Sequence, residues 1–262
     1  MNNSLNIHAY GATNIGQKRS TNQDSIFLDN KKMLYVVADG MGGHNGGDIA
    51  SSMACKLIPE FMNDIKNNKE NETNKLSALF SESILYANQK ILEHGNQDPK
   101  LSGMGTTVVS IKVDPKSKTI YIGNVGDSRA YLMDQNSIFQ LSKDHSLIQE
   151  KINLGIYNRK VALKDPHKNV LVRTVGFEEG IEVDIFKYTP LKNQLYLLCS
   201  DGLHGLLTDD DIFLYSKKYF YNKIIETKNI DSALAELTNE LIKEANNRGG
   251  NDNISVIVVY NS

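Results

Sequence analysis

Cysteine is scarce in this sequence. Among its 262 residues there are two, Cys55 and Cys199, which lie far apart and in apolar surroundings. A disulfide framework or a cysteine-based metal site needs more cysteines or closer spacing. We therefore expect neither of them, and we predict that both residues are buried, reduced thiols.

An excess of basic residues is also missing. Lys and Arg total 29 against 31 for Asp and Glu, which gives a net charge of -2, whereas a nucleic-acid-binding protein normally carries a basic excess. No apolar run approaches the roughly 18–20 residues that span a membrane. Residues 1–7 have neither the basic nor the apolar part of a secretory signal. These absences predict a soluble, cytoplasmic protein without nucleic-acid or membrane partners.

What is present is the composition of an ordinary globular protein. Hydrophobic residues make up 40% and charged residues 23% of the chain, close to the usual proportions. The length is near the upper end for one domain. Because no change in composition marks an internal boundary, we predict a single domain over residues 1–262, and we expect a monomer.

Hydrophobic periodicity predicts an α+β fold. Predicted strands cover residues 5–13, 25–28, 33–38, 106–113, 119–125, 128–133, 137–141, 181–188, 194–199 and 254–260. Helical spacing runs from about residue 48 to 65 and over residues 76–92, 209–219 and 231–245, while residues 66–74 are predicted as a loop and 144–170 as irregular with short helices. Consecutive hairpins favour antiparallel sheets. The helices have apolar faces that must cover something, so we expect a sheet sandwich with helices outside.

Four aspartates stand at the ends of predicted buried strands, beside or close to glycine: Asp39, Asp127, Asp201 and Asp252. If several such ends meet, their carboxylates form a cage of hard oxygen ligands, which suits Mg²⁺ or Mn²⁺. The alternative is ordinary turn chemistry, since Asp and Gly are common in turns. His, Cys and Glu are not gathered at zinc-like spacings, so a zinc site is not expected.

The glycine-rich stretch at residues 40–43 matches no standard phosphate-binding motif. No Gly-Lys-Ser/Thr follows it, and it lacks the third glycine of the dinucleotide fingerprint. The sequence also has no Gly-x-Ser-x-Gly nucleophile elbow. Catalysis by a nucleophilic serine or cysteine therefore has no support.

Seven motifs follow one another along nearly the whole chain. They are GQKRSTNQDS at 16–25, ADGMGGH at 38–44, GTT at 105–107, GNVGDSR at 123–129, DHS at 144–146 with NVLVRTVG at 169–176, SDGL at 200–203 and GNDNISV at 250–256. Over residues 12–260 the chain resembles the metal-dependent type 2C protein serine/threonine phosphatases, the PPM family, in its bacterial form. The resemblance implies a four-layer α-β-β-α sandwich, with a flap subdomain at about residues 144–176.

The resemblance also implies the ligands of Mn²⁺ or Mg²⁺. Asp39 would bridge two core ions, and Gly40 would offer its backbone carbonyl to the first. Asp201 and Asp252 would hold the second ion. Asp127, together with Asp201, would hold a third, weaker ion.

Further residues would handle the substrate. By resemblance Arg19 would bind the phosphate, and Asp24 and Asn253 would support the site. Met41 stands where some members have a histidine proposed as general acid; His44 could donate that proton directly or through water. The alternative for His44 is that it packs against or caps the following helix. Gln23 replaces a glutamate that helps to hold the metal-bound water in other members, which puts a direct metal role for that position in doubt.

The implied activity is hydrolysis of phosphoserine and phosphothreonine in proteins. In this family a metal-bridging hydroxide attacks phosphorus in line, and no phosphoenzyme forms. The expected partners are phosphorylated proteins and a serine/threonine kinase that acts on them. Two alternatives stay open: a pseudophosphatase that binds without turnover, and a metal-dependent phosphodiesterase or nuclease, which the negative net charge disfavours.

Overall fold

The strands and helices follow one another in the order that the sequence predicts. The computed structural model describes residues 5–42, 46–66, 73–158, 165–167 and 169–262. The strands are β1 (Ile7–Asn14), β2 (Asp24–Asp29), β3 (Leu34–Met41), β4 (Gly105–Thr106), β5 (Val108–Asp114), β6 (Thr119–Val125), β7 (Arg129–Met133), β8 (Ile138–Gln140), β9 (Asp184–Tyr188), β10 (Gln194–Cys199) and β11 (Ile254–Asn261). The helices are α1 (Gly47–Lys66), α2 (Thr73–Gln97), α3 (Leu147–Asn153), α4 (Asp201–His204), α5 (Asp209–Ser216), α6 (Asn222–Thr227) and α7 (Ile230–Asn247).

The strands form two antiparallel sheets. The first has the order β1-β11-β10-β7-β8, and the second has the order β2-β3-β5-β6-β9 with the short β4 on β3. Strands adjacent in each sheet pair antiparallel throughout the described chain. Both predicted hairpins, β5–β6 and β7–β8, are present.

Three apolar clusters separate four layers. One cluster, with Tyr35 and Leu198, lies between the two sheets. A second, with Val36 and Phe80, lies between the second sheet and helices α1 and α2. A third, with Leu197 and Leu237, lies between the first sheet and helices α4 to α7. Because neighbouring residues of β3 and of β10 point to opposite faces, each of these strands contributes to two clusters. The predicted α-β-β-α sandwich is confirmed.

A few boundaries differ from the predictions. The helix predicted over 209–219 ends as α5 at Ser216 and continues as a π-helical turn over Lys217–Tyr221 before α6. The strand predicted from residue 181 begins at Asp184. Most of the predicted loop at 66–74 lies outside the described residues. Among the helices that the structure describes, none combines the length and the apolar character that crossing a bilayer demands.

Candidate active site

Asp39 lies near the end of β3, between the neighbouring strands β2 and β5. Its backbone is held on both sides: the Asp39 N–H donates to Thr107 Oγ1 at 3.1 Å, and the Asp39 carbonyl accepts from the Thr107 N–H at 2.8 Å. The Thr106 hydroxyl donates to the same carbonyl at 2.9 Å. Across the strand pair, the residue opposite Asp39 is Asp24 on β2. Two acids therefore face each other at this point of the sheet.

Gly40 is placed where only glycine fits. A Cβ atom on Gly40 would collide with the backbone carbonyl of Gly47, the first residue of α1, and with that of Gln23. The Gly40 N–H donates to the Gln23 carbonyl at 3.1 Å. The close approach brings the start of α1 directly against the end of β3.

Asp201 and Asp252 lie on two chain segments that pack tightly against each other. Asp201 begins α4 directly after β10, and a Cβ on the next residue, Gly202, would collide with the carbonyl of Asn253. The Asp252 carboxylate accepts at Oδ1 from the Asn253 N–H at 2.8 Å. The chain segments that carry the two acids, 51 positions apart in the sequence, are thus held together by glycine packing.

Asp127 follows β6 in a loop whose first residue is Gly126. The φ angle of Gly126 is +104°, a value that glycine adopts readily and other residues avoid. Ser128, on the other side of Asp127, shares a 2.7 Å hydrogen bond with the Thr107 hydroxyl. Thr107 therefore connects the loop of Asp127 with the backbone of Asp39.

The electrostatics show that these acids converge. Burial, followed by the charges of Asp24 and Asp201, raises the pKa of Asp39 well above its usual range. Burial, with a further contribution from Asp201, raises the pKa of Asp127 to about 8. Burial also raises the pKa of Asp24 to about 6, although hydrogen bonds from Ser255 and Ser200 oppose the shift. Crowded carboxylates disfavour their own ionised forms, and a divalent cation among them would remove that penalty.

Arg19 reaches this acidic group from the loop between β1 and β2. Its Nη2 lies 2.6 Å from Asp252 Oδ2, and its side chain is 49% exposed. That loop is fixed by Asn253, whose amide donates to the carbonyls of Ile15 and Thr21 at 2.9 and 3.0 Å. Asn253 Oδ1 also accepts from the Gln23 N–H at 2.8 Å. The loop therefore presents the guanidinium at the edge of the acidic group.

The remaining predicted residues divide into two cases. Asp24 is buried, and its Oδ2 accepts a hydrogen bond from Ser200 at 2.7 Å. His44, together with residues 43 and 45, lies outside the described residues. Its predicted part in catalysis stays a prediction.

Sequence reasoning assigned no role to two residues that contact the site. The His204 Nε2 lies 3.1 Å from the Asp127 carbonyl, and Ser200 Oγ contacts Asp24. Burial, followed by the charge of Arg129, lowers the pKa of His204 to about 3, so its imidazole is neutral. Ser200 is the first residue of the SDGL motif and His204 directly follows it, and that placement was the signal available in the sequence.

The donors fit a hard divalent cation. Aspartate carboxylates and a backbone carbonyl are the oxygen ligands that Mg²⁺ and Mn²⁺ take. Within the described ranges, no group of three or more His, Cys, Asp or Glu side chains is placed so that those side chains alone could hold a metal ion. Mg²⁺ in proteins commonly keeps several water ligands, so a shell that is completed by water is consistent with this donor set.

Comparison with known proteins decides the family. A family model described as protein phosphatase 2C matches residues 11–241. The chain belongs to the protein phosphatase 2C family. It is 35% identical over 257 residues to the serine/threonine phosphatase stp of Listeria welshimeri, covering 97% of this chain and 95% of that protein. It is 34% identical to protein phosphatase PhpP of Streptococcus pneumoniae, covering 94% of each.

Solved structures of phosphatases share the fold. The serine/threonine phosphatase PstP/Ppp of Mycobacterium tuberculosis superposes with a TM-score of 0.84 at 25% identity, covering 98% of this chain and 99% of that one. The serine/threonine phosphatase of S. agalactiae gives 0.83 at 31% identity, with 98% and 100% covered. The catalytic domain of PstP in complex with two manganese ions gives 0.81 at 25% identity, with 98% and 99% covered. The chain is a metal-dependent protein serine/threonine phosphatase, and its substrates are phosphoproteins.

Proposed function

We propose that this phosphatase holds two core ions, Mn²⁺ or Mg²⁺, on the acids that converge at the end of β3. Asp39 would hold both ions, and the Gly40 carbonyl would hold the first. Asp201 and Asp252 would hold the second. The observation that carries the proposal is the burial of Asp39 among other acids: burial, followed by the charges of Asp24 and Asp201, raises its pKa well above its usual range. Ions bound there would supply a nucleophile from water at neutral pH and would polarise the phosphoryl oxygens.

A third, weaker ion is proposed between Asp127 and Asp201. The support is electrostatic: burial and the Asp201 charge raise the pKa of Asp127 to about 8. A cation between the two carboxylates would replace this repulsion with attraction. Asp24 and Asn253 are proposed as supporting residues, since they hold Ser200 and the loop of Arg19.

Arg19 is proposed to bind the substrate phosphate. Its guanidinium is half exposed and uses Nη2 in the contact with Asp252, so its other N–H donors can reach phosphate oxygens. A planar guanidinium matches phosphate geometry and stays charged at every working pH. Arg19 would thus orient the phosphoryl group over the acidic site.

Water, rather than a protein side chain, is proposed to attack phosphorus, so no phosphoenzyme forms. The hydroxyls beside the acids are already committed: Ser200 donates to Asp24, and Thr107 bonds to Ser128. The leaving serine or threonine oxygen needs a proton or strong polarisation, and His44 is the residue proposed to assist it.

The wider role follows from this chemistry. We propose a serine/threonine kinase as the counterpart of this phosphatase, which acts as a monomer in the cytoplasm. Cys55 and Cys199 are free, buried thiols, which agrees with a reducing compartment. We further propose a single catalytic domain with a flap subdomain at about residues 144–176.

The test is hydrolysis of a phosphothreonine peptide and of para-nitrophenyl phosphate with Mn²⁺, with and without EDTA. We expect EDTA to stop turnover and Asp39→Asn to lower kcat by at least about 100-fold, because replacing even a residue behind a metal ligand costs 10–100-fold. Asp210→Asn, an exposed acid on α5, is the matched control and should keep full activity. Turnover that survives both EDTA and Asp39→Asn would refute the metal mechanism. Faster cleavage of a phosphodiester than of the peptide would favour the nuclease alternative.

A further inference from the structure

The loop that carries Asp127 is held by two histidines from different parts of the chain. His204 Nε2 lies 3.1 Å from the Asp127 carbonyl oxygen. On the other side, the Gly126 N–H donates to His145 Nδ1 at 3.1 Å, and the His145 N–H donates to the Gly126 carbonyl at 2.9 Å. Three backbone polar groups of one short loop are thus bonded to histidine residues.

The proton positions on both rings follow from their partners. His204 Nε2 faces a carbonyl oxygen, which only accepts, so this nitrogen carries the proton. His145 Nδ1 faces an N–H group, so it accepts and the proton sits on Nε2. That second nitrogen lies 3.1 Å from Asp184 Oδ2 on β9, which fixes the ring. Each imidazole therefore makes a defined hydrogen bond to the loop.

His204 lies on the same helix as Asp201, so its hydrogen bond links that helix to the Asp127 loop. His204 is the last residue of α4, and Asp201 is the first residue of the same helix. The Gly205 N–H closes this turn on the Asp201 carbonyl at 2.7 Å. The ring of His204 therefore spans from the helix that carries Asp201 to the loop that carries Asp127.

We propose that His204 is a positioning residue that sets the separation of the Asp127 and Asp201 carboxylates. It acts through the Asp127 main chain and not through contact with substrate or ion. The inference rests on the proposed third-ion role of these two acids. His145 braces the same loop from the opposite side and keeps it from following a displacement of α4.

Loss of the His204 hydrogen bond should weaken the binding of the weakest ion first. The backbone at Gly126 has a φ angle of +104° and depends on its neighbours to keep that geometry. Without the bond, the Asp127 carbonyl loses its hydrogen bond to α4, and the carboxylate is free to shift relative to Asp201. The two core ions do not use Asp127 and should stay bound.

The experiment compares His204→Leu with His204→Gln in the whole protein. Leucine removes the donor, whereas the amide nitrogen of glutamine occupies nearly the position of histidine Nε2. Calorimetric titration with Mn²⁺ should show roughly 10-fold weaker binding of the weakest ion in His204→Leu, the lower end of the range for residues behind metal ligands. His204→Gln should recover most of that loss. kcat should fall in His204→Leu, with KM for the peptide nearly unchanged.

Hydrogen exchange provides a readout that does not depend on metal. In EDTA, the amides of residues 126–128 should exchange several-fold faster in His204→Leu and at the wild-type rate in His204→Gln. If His204→Leu fails to fold, His204→Asn replaces it, because its shorter amide cannot reach the Asp127 carbonyl. Equal behaviour of the glutamine variant and the variant without the donor would refute the positioning role.

Asp127→Ala separates this inference from the proposed function. If Asp127→Ala loses the weakest ion while His204→Leu binds Mn²⁺ as the wild type does, the third ion stands and the role of His204 is wrong. If Asp127→Ala changes neither Mn²⁺ binding nor turnover, the third-ion role is wrong and the inference falls with it. Loss of all ions in Asp127→Ala would contradict the division into core and weaker sites.

Discussion

At the scale of the residue, the surroundings of Asp24 in the site change its pKa. Its side chain is buried at 6% exposure, and it faces Asp39 across the β2–β3 pair. In the sequence it was one acid within a longer motif. Its burial and the nearby acids raise its pKa to about 6, and neither cause can be read from the motif itself.

This shift predicts a pH-dependent stability for the metal-free protein. Because the folded pKa of about 6 lies above the unfolded value near 3.9, protonated Asp24 stabilises the fold fully below about pH 4. That contribution is lost as the pH rises through 6. With EDTA present, the free energy of unfolding of the wild type relative to Asp24→Asn should drop by on the order of 3 kcal/mol between pH 4 and pH 7.

The measurement is urea unfolding of both proteins at the two pH values. Asp24→Asn is the control, since asparagine keeps the shape and does not titrate. Saturating Mn²⁺ should reduce this pH-dependent drop in the free energy of unfolding, because bound cations favour the ionised carboxylates. An equal difference between the two proteins at both pH values would contradict the buried state of Asp24.

At the scale of the element, the turn between β6 and β7 depends on close packing against Thr107. A Cβ on Gly126 would lie 2.6 Å from Thr107 Cγ2, and Thr107 holds the Asp39 N–H and the Ser128 hydroxyl. A change at Gly126 therefore reaches the end of β3 without touching Asp39 directly.

Gly126→Ala and Gly180→Ala make a matched pair. Both glycines have positive φ angles, +104° and +67°, but a Cβ on Gly180 meets nothing within 4 Å. Gly180→Ala should lower the free energy of unfolding by about 1 kcal/mol, because alanine is strained at this positive φ angle. Gly126→Ala should lower the free energy of unfolding by about 1–3 kcal/mol more than Gly180→Ala does, because its Cβ overpacks against Thr107. It should also lower kcat. Thermal unfolding and peptide turnover measure the two effects; equal losses in both variants would rule out the packing argument.

Hydrophobic spacing identified the helices but not their breaks. The apolar positions of 209–219 continue past Ser216, where the chain changes to a π-helical turn. Helix α7 begins after Lys228, whose φ angle is +55°, with Asn229 accepting from the Ser232 N–H at 3.0 Å. The buried residues Ile212, Ser216 and Phe220 keep a spacing of four across the start of the π turn, so the periodicity carries no sign of it.

At the scale of the whole molecule, the central apolar cluster joins the two sheets. Leu198 on β10 is fully buried between them, while Leu214 on α5 is 62% exposed. Leu198→Ala should lower the free energy of unfolding by about 2–5 kcal/mol, as expected for a buried Leu-to-Ala change. Leu214→Ala should change it by less than about 0.5 kcal/mol.

Denaturant unfolding followed by far-UV circular dichroism and by tyrosine fluorescence measures this difference. Since both sheets contribute to the central cluster, circular dichroism and fluorescence should report the same unfolding transition in Leu198→Ala. Separate transitions for the two probes would mean that the sheets unfold independently, contrary to a shared core.

The sequence alone was enough for the order of the elements, the antiparallel hairpins, the family and the set of acids at strand ends. These follow from local rules: side-chain periodicity along a strand or helix, and short motifs with fixed spacing. The positions of Asp39, Asp127, Asp201 and Asp252 were all available in this way, although turn chemistry was the stronger explanation of each of them when it was taken alone.

Only the tertiary structure decided which strand ends meet and what holds them. The contact of Gly202 with Asn253 and the bond of His204 to Asp127 join residues 51 and 77 positions apart. Such contacts depend on the register of the strands and on how the two sheets stack, and neither is encoded in a local pattern. The sequence therefore determined which chemical groups this phosphatase has, and the packing of its sheets determined how far apart they are held.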